Sequence, residues 1–164
     1  MEQHSLYLLL GSNLGDRKSQ LDRSADLIAE MIGPVVMRSS LYETEPWGFA
    51  SDDLFLNAAL QCRTSLSPEE VMQRIERIEK LFGRERPGTG YSSRIIDIDI
   101  LFYDGIVVDQ EGLKIPHPRL PERRFVLVPL DEIAHSFVHP LSGKTIGDIL
   151  RDCTDLKEVR KIER

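Results

Sequence analysis

Two aspartates, Asp97 and Asp99, stand two residues apart in the apolar segment 95–101. Side chains of a β-strand alternate between its faces, so both carboxylates would share one face and the intervening isoleucines the other. Aspartate is uncommon in strands, and two neighbouring carboxylates repel each other unless a cation lies between them. Magnesium prefers hard oxygen ligands and usually takes one or two carboxylates together with substrate phosphates. The pair indicates a magnesium site, although a charged, solvent-facing edge strand has the same pattern.

Basic segments lie on both sides of this aspartate pair in the chain. Arg84 and Arg86 lie within the glycine-rich segment 83–93 that leads into it, and Arg94 directly follows that segment. Arginine binds phosphate through a planar fork, and a glycine-rich loop is able to close over a triphosphate. A second basic segment, 116–124, contains His117, which would donate to a phosphate oxygen. The alternative interpretation of both segments is a solvated loop with scattered charges.

Aromatic and amide side chains between positions 44 and 57 suit a flat heterocyclic ligand. Trp47 and Phe55 offer aromatic faces, and the Asn57 amide offers both donors and an acceptor. In the alternative interpretation, Phe55 belongs to the core and Trp47 covers a loop. The segment 11–16 stands where a phosphate loop would, but it lacks the Lys-Ser/Thr ending of a Walker motif, so we interpret it as a turn and helix cap.

The apolar periodicity predicts the elements that position these residues. We expect strands at 5–10, 35–42, 54–63 and 94–103, a helix ending before Gly33-Pro34, and a helix beginning after Ser67. A hairpin of 106–108 with 113–115, an apolar run at 125–130 and a mixed tail follow. The order strand, helix, strand, strand, helix, strand is typical of ferredoxin-like folds. We therefore predict an α+β fold with a ferredoxin-like antiparallel sheet covered by helices, a three-layer αβα arrangement, as one domain over 1–164.

Composition excludes several classes of protein. The chain has 164 residues, 41% of them hydrophobic, and a formal net charge of −6, which disfavours a nucleic-acid surface. Its apolar runs are shorter than the ~18 residues of a membrane span. The N-terminal segment lacks the basic residues and long apolar core of a secretion signal, so we expect a cytoplasmic protein. We also expect a monomer, with Cys62 and Cys153 as unpaired thiols.

Six segments in sequence resemble the 6-hydroxymethyl-7,8-dihydropterin pyrophosphokinases of folate biosynthesis. They are Gly11-Ser12-Asn13-Leu14-Gly15, Tyr42-Glu43-Thr44-Glu45-Pro46-Trp47-Gly48, Phe55-Leu56-Asn57, Gly83-Arg84-Glu85-Arg86, Arg94-Ile95-Ile96-Asp97-Ile98-Asp99-Ile100-Leu101, and Pro116-His117 through Arg123-Arg124-Phe125. The resemblance spans nearly the whole chain. It implies transfer of pyrophosphate from ATP to the pterin hydroxymethyl group, with release of AMP.

The resemblance also implies roles for individual residues. Asp97 and Asp99 would bind two magnesium ions, with Arg84 and Arg94 acting on the transferring group. The pterin would contact Thr44, Pro46, Trp47, Phe55, Asn57, Asp97 and Phe125. ATP would contact Glu79, Arg84, Arg94, Ile100, His117 and Arg123. Three positions depart from the family pattern on the adenosine side: Glu76, Gly112 and Lys114.

Other functions remain open at the level of the sequence. A two-metal nucleotidyl transferase or cyclase with a ferredoxin-like palm would also use two strand aspartates, but it would release pyrophosphate rather than AMP. An RNA-binding module of similar fold would need a basic sheet face with stacking aromatics, whereas two aspartates occupy this strand. A scaffold relative without catalytic activity is disfavoured because the charged residues expected to act in the chemistry are present.

Overall fold

The computed structural model describes residues 2–44, 54–83 and 95–162. The strands are β1 (His4–Ser12), β2 (Val35–Arg38), β3 (Leu41–Thr44), β4 (Phe55–Thr64), β5 (Asp97–Tyr103), β6 (Val108–Gln110), β7 (Leu113–Ile115) and β8 (Val159–Ile162). The α-helices are α1 (Arg17–Met31), α2 (Pro68–Leu81), α3 (Arg124–Ala134) and α4 (Ile146–Asp152), and Leu120–Glu122 forms a 3-10 turn. No helix in the described ranges combines the length and the apolar composition that crossing a bilayer requires.

The main sheet confirms the predicted α+β, ferredoxin-like arrangement. Its strand order is β5-β1-β4-β3-β8, with β2 also paired to β4. All of these pairs are antiparallel. Strands β1 and β4 therefore lie inside the sheet, and β5, which carries both aspartates, lies at its edge.

The sheet is the middle of three layers, because alternate residues of β1 enter different cores. Leu6, Leu8 and Leu10 pack with apolar residues of α1 and α2. Tyr7 and Leu9 pack with α3 and α4 on the other face. The three-layer αβα prediction is confirmed.

Helix α2 begins as its sequence predicts. The Ser67 side chain accepts from the Glu70 amide, and the Glu70 carboxylate accepts from the Ser67 amide, so both ends of the capping box are present. Val71, Ile75 and Ile78 are fully buried along one face. The reciprocal cap and this apolar face fix the start and the orientation of the helix.

One strand was predicted over 35–42, and this prediction is wrong because two strands, β2 and β3, occupy the region. Ser39 lies between them and is fully buried. Its amide donates to the Ala59 carbonyl at 2.9 Å, while the Ala59 amide donates to its hydroxyl at 2.8 Å. The Ser39 hydroxyl thus replaces a backbone carbonyl as the acceptor in the ladder. The backbone pairing is interrupted there, and β3 begins as a separate strand.

The C-terminal third holds elements that the periodicity did not identify. The apolar run 125–130 belongs to α3, although Pro129 lies inside the helix. Proline inside a helix removes one intrahelical hydrogen bond and so destabilises the helix. Val126, Leu127, Leu130 and Ala134 recur at helical spacing and are buried against the sheet, and this packing outweighs the lost hydrogen bond.

The tail forms α4 and β8. The hairpin pairs β6 with β7 around Gly112, so its first strand is Val108–Gln110 rather than 106–108.

Candidate active site

Four residues form a row across the sheet at the end of β1. Tyr42 of β3 pairs with Asn57 of β4, Asn57 with Gly11 of β1, and Gly11 with Asp97 of β5. Paired residues in a sheet point to the same face. Because Gly11 continues the alternation of Tyr7 and Leu9, this is the face that α3 partly covers.

The two aspartates share one face of β5, as predicted. Ile98 and Ile100 enter the core under α1 and α2, whereas Asp97 and Asp99 are only half-buried. The register of β1 against β5 shifts between Tyr7 and Leu8. This bulge brings Leu101 and Phe102 together into the other core, on the aspartate face of the strand.

Gly11 creates the space for the Asn57 amide. A Cβ at Gly11 would lie 2.7 Å from Asn57 Nδ2 and 3.9 Å from the Phe55 ring. Asn57 Nδ2 donates to the Leu10 carbonyl at 3.2 Å, and Thr44 Oγ1 donates to Asn57 Oδ1 at 3.4 Å. The structure therefore brings three predicted pterin residues together. The interpretation of 11–16 as a turn did not identify Gly11 as a residue of the site, because Gly11 lies within β1.

His117 lies near Asp97 and Arg123, each of which influences its pKa. Burial, followed by the positive charge of Arg123, lowers this pKa to about 4, against a smaller opposing effect of Asp97. The Arg119 amide donates to His117 Nδ1 at 3.2 Å, so the neutral ring carries its proton on Nε2. The imidazole is therefore a neutral hydrogen-bond donor at physiological pH.

Arg123 and Phe125 lie where the chain enters α3. The Arg123 guanidinium carbon is 5.7 Å from the centre of the Phe125 ring, a cation–π distance. Arg123 is 8% exposed, and its backbone forms the N-cap position of α3. The start of α3 thus joins a predicted pterin residue to a predicted ATP residue.

Glu79 and Ile100 lie across β5 from the aspartates. Ile100 belongs to the core beneath α1 and α2, and Glu79 of α2 is 2% exposed. A Glu79 carboxylate oxygen accepts from the Ile98 amide at 3.0 Å, which satisfies a donor of the edge strand. A ligand that contacts Glu79 and Ile100 as well as the aspartates must pass over the edge of the sheet.

Four of the predicted site residues lie outside the described residues: Pro46, Trp47, Arg84 and Arg94. The predicted start of the fourth strand at Arg94 lies outside them as well. Within the described ranges β5 begins at Asp97. The placement of these side chains relative to the aspartates stays a prediction.

The available ligands fit magnesium better than a metal held by protein groups alone. Across the described parts of the chain, no three His, Cys, Asp or Glu side chains gather as a metal cluster. Asp97 and Asp99 supply two hard carboxylates on one face, which is the number that magnesium commonly takes when phosphates complete its coordination. A magnesium ion held by these two carboxylates would need the phosphates of a substrate as further ligands.

Comparison with known proteins agrees with this geometry. A profile of the family described as 7,8-dihydro-6-hydroxymethylpterin-pyrophosphokinase matches residues 7–135. A 2-amino-4-hydroxy-6-hydroxymethyldihydropteridine pyrophosphokinase of Porphyromonas gingivalis is 41% identical over 138 residues, covering 82% of this chain and 93% of the relative. The folic acid synthesis protein fol1 of Pneumocystis carinii is 38% identical over 156 residues, covering 94% of this chain and 21% of that protein.

Solved structures show the same fold at low sequence identity. The Plasmodium falciparum HPPK-DHPS crystallised with pterin and p-hydroxybenzoate superposes with a TM-score of 0.74 at 17% identity, covering 92% of this chain and 43% of that one. The profile match extends over most of the chain, from the first strand to the end of α3. This chain belongs to the 7,8-dihydro-6-hydroxymethylpterin-pyrophosphokinase family.

Proposed function

We propose that this protein transfers pyrophosphate from ATP to the hydroxymethyl group of 6-hydroxymethyl-7,8-dihydropterin. The observation that carries the proposal is the family match over residues 7–135, which includes the row of Asn57, Gly11 and Asp97. The acceptor oxygen bonds to the β-phosphorus of ATP, the bond from that phosphorus to the α-phosphate oxygen breaks, and AMP leaves. The hydroxyl proton is released, so the reaction balances without an oxidant or reductant.

Asp97 and Asp99 are proposed to hold two magnesium ions together with the phosphates of ATP. Bound magnesium would neutralise phosphate charge and lower the pKa of the attacking hydroxyl. Their position on the half-buried face of an edge strand supports this role, because the site is open to a large anionic ligand. With magnesium bound, the two carboxylates would orient the triphosphate toward the Asn57 end of the row.

Cationic and neutral donors are proposed to bind the remaining phosphate oxygens. Arg84 and Arg94 would neutralise charge that develops on the transferring group. Arg123 would bind the nucleotide as a cation and His117 as a neutral Nε2 donor, a form that its lowered pKa supports. Glu79 and Ile100 are proposed to contact the part of ATP that passes over β5.

The pterin is proposed to stack between Phe55 and Phe125, with Asn57 and the segment from Thr44 through Pro46 to Trp47 contacting its edge. An amide offers donors and an acceptor, which suits the alternating edge of a pterin. Hydrogen bonds to the Leu10 carbonyl and from the Thr44 hydroxyl orient the amide, which supports this assignment. Ring stacking would add binding energy with little selectivity.

The setting of the reaction is proposed as well. We place the enzyme in the cytoplasm, as a monomer that binds ATP and the pterin and no nucleic acid. Both cysteines are free, as is usual for proteins of a reducing compartment.

The test is nucleotide product analysis after mixing the protein with ATP, magnesium and 6-hydroxymethyl-7,8-dihydropterin, with a sample lacking pterin as control. AMP that forms only when pterin is present, together with a pyrophosphorylated pterin, is the expected result. Free pyrophosphate would instead favour the nucleotidyl transferase or cyclase. ADP, or no turnover, would contradict both assignments.

A further inference from the structure

The first residue of α1 joins two strand ends that carry predicted pterin residues. Arg17 Nη2 donates to Glu43 Oε2 at 2.8 Å, and Arg17 Nη1 donates to the Leu54 carbonyl at 2.9 Å. Glu43 lies in β3 next to Thr44, and Leu54 immediately precedes Phe55, where β4 begins. One guanidinium therefore holds the ends of both strands.

These two strand ends meet at the last pair of their ladder. Thr44 pairs with Phe55, and beyond that pair the described ladder stops. A terminal pair has a neighbouring pair on one side only, so strands tend to separate from such an end. The Arg17 contacts add a cross-link at this position, and a planar guanidinium suits the role because its donors have a fixed separation.

The environment strengthens the cross-link. The Glu43 side chain is 14% exposed and that of Arg17 is 29% exposed, so water screens the pair less than it screens an open surface ion pair. The hydrogen bonds that Arg160 and Arg17 donate to the Glu43 carboxylate lower the pKa of this carboxyl group. Glu43 therefore stays ionised, and the contact persists, throughout the neutral range.

We propose that Arg17 is a positioning residue for the pterin subsite: it holds the end of β3 to the end of β4 and so keeps Thr44, Phe55 and Asn57 in the arrangement that binds the pterin. This inference rests on the proposed function. The hydrogen bond from Thr44 to Asn57 spans the same two strands, so separation of the strand ends displaces both members of that pair. In this role Arg17 acts through Glu43 and Leu54 and not through contact with the substrate.

Arg160 provides a matched control on the same carboxylate. Its Nη2 donates to Glu43 Oε1 at 2.5 Å, and its side chain is 59% exposed. Within the described residues, Glu43 is the one hydrogen-bond partner of the Arg160 side chain. Arg160→Ala therefore removes a positive partner of Glu43, while the hydrogen bond from Arg17 to the Leu54 carbonyl stays in place. The comparison of Arg17→Ala with Arg160→Ala separates loss of the cross-link from loss of charge.

The first experiment is steady-state kinetics of the wild type, Arg17→Ala, Arg17→Lys and Arg160→Ala, with pterin and ATP varied separately. Arg17→Ala is expected to raise the KM for pterin about tenfold, a change typical of losing a charge-assisted hydrogen bond. Its KM for ATP stays near the wild-type value, and so do both KM values of Arg160→Ala. Arg17→Lys recovers part of the loss, since an ammonium keeps the charge but lacks the fork.

A second measurement does not depend on catalysis. Amide hydrogen exchange at Thr44, Phe55 and Leu56 is expected to become faster in Arg17→Ala, with exchange in the centre of β1 unchanged. Arg17→Lys, the milder change, serves this measurement if the alanine variant does not fold.

The outcomes are distinct. Equal KM changes for both substrates, equal effects of Arg17→Ala and Arg160→Ala, or unchanged exchange at the strand ends would overturn the role of Arg17. A wild type that produces no pterin-dependent AMP would overturn the proposed function, and the exchange data would then still decide whether Arg17 holds the strand ends.

Discussion

At the scale of single residues, the aspartates of β5 lie outside the apolar core that their strand helps to form. Their neighbours Ile98 and Ile100 supply the core packing of the strand, while Asp97 and Asp99 remain half-buried on the other face. Substitution of either aspartate should therefore alter chemistry without unfolding the sheet.

We predict that Asp97→Ala or Asp99→Ala lowers turnover at least about 100-fold, as loss of one electrostatic group in an active site commonly does. The rate of AMP formation is the measurement, and thermal unfolding checks that the fold is kept. Asp109→Ala is the control, since this exposed aspartate of β6 pairs with Lys114 in the hairpin. Near-normal turnover in either β5 variant would contradict the proposed metal role.

His117 gives a prediction about acid stability. Its folded pKa of about 4 lies below the ordinary value of 6.5, so between these values the unfolded chain binds a proton that the native imidazole does not. Stability from this residue is therefore present above pH 6.5 and is lost as the pH falls toward 4.

Urea unfolding of the wild type and of His117→Gln at pH 7 and pH 5 measures this effect. The wild type is expected to lose about 2 kcal/mol more than the variant over this interval. An equal loss in both proteins would mean that the native imidazole titrates as the unfolded one does.

At the scale of elements, the pairing of β1 with β4 at the site places a residue without a side chain beside Asn57. Gly11 leaves room for the Asn57 amide, whereas a Cβ there would approach Nδ2 within 2.7 Å. The amide is hydrogen-bonded to the Leu10 carbonyl and to the Thr44 hydroxyl, so a shift of the amide would disturb both contacts.

We predict that Gly11→Ala raises the KM for pterin about tenfold or more while the KM for ATP changes less, since displaced hydrogen bonds of this kind cost ~1–3 kcal/mol. The kinetic assay with each substrate varied separately is the measurement. Gly105→Ala is the control, because a Cβ there has open space. Equal changes for both substrates would show that the amide does not select the pterin.

At the scale of the whole molecule, one sheet serves two cores. Phe102 is fully buried on the α3 and α4 side, where its ring lies 4.6 Å from that of Phe137 and 6.2 Å from that of Tyr7. Leu8 and Leu10 of the same β1 strand enter the opposite core. Because β1 contributes side chains to both cores, loss of packing on one face of the sheet is expected to weaken the other face as well.

We therefore predict that Phe102→Ala lowers the free energy of unfolding by about 3–5 kcal/mol and that the variant still unfolds in one transition. Far-UV and near-UV circular dichroism in urea should give coincident curves. Leu156→Ala, at a side chain that is 91% exposed, is the control with little effect. Two separate transitions would mean that the layers fold independently.

The sequence by itself determined the features that depend on local geometry. A period of two put Asp97 and Asp99 on one face, and a period near 3.6 with a Ser-Glu box fixed α2. The element order was sufficient for the ferredoxin-like class. The sequence was not sufficient for the break between β2 and β3 at Ser39, because a local pattern does not report the hydrogen bond with Ala59. It was not sufficient for α3 either, because a local pattern does not report the packing that offsets Pro129.

The tertiary structure decided which of these residues meet. Strand register joins Asn57, Gly11 and Asp97 in one row, and the bulge in β5 sets the faces on either side of it. It also placed Arg17 against the ends of β3 and β4, and Glu79 against the edge strand. The physical reason is that register and long-range hydrogen bonds depend on how whole elements pack together, whereas the faces of a strand or helix follow from the backbone alone.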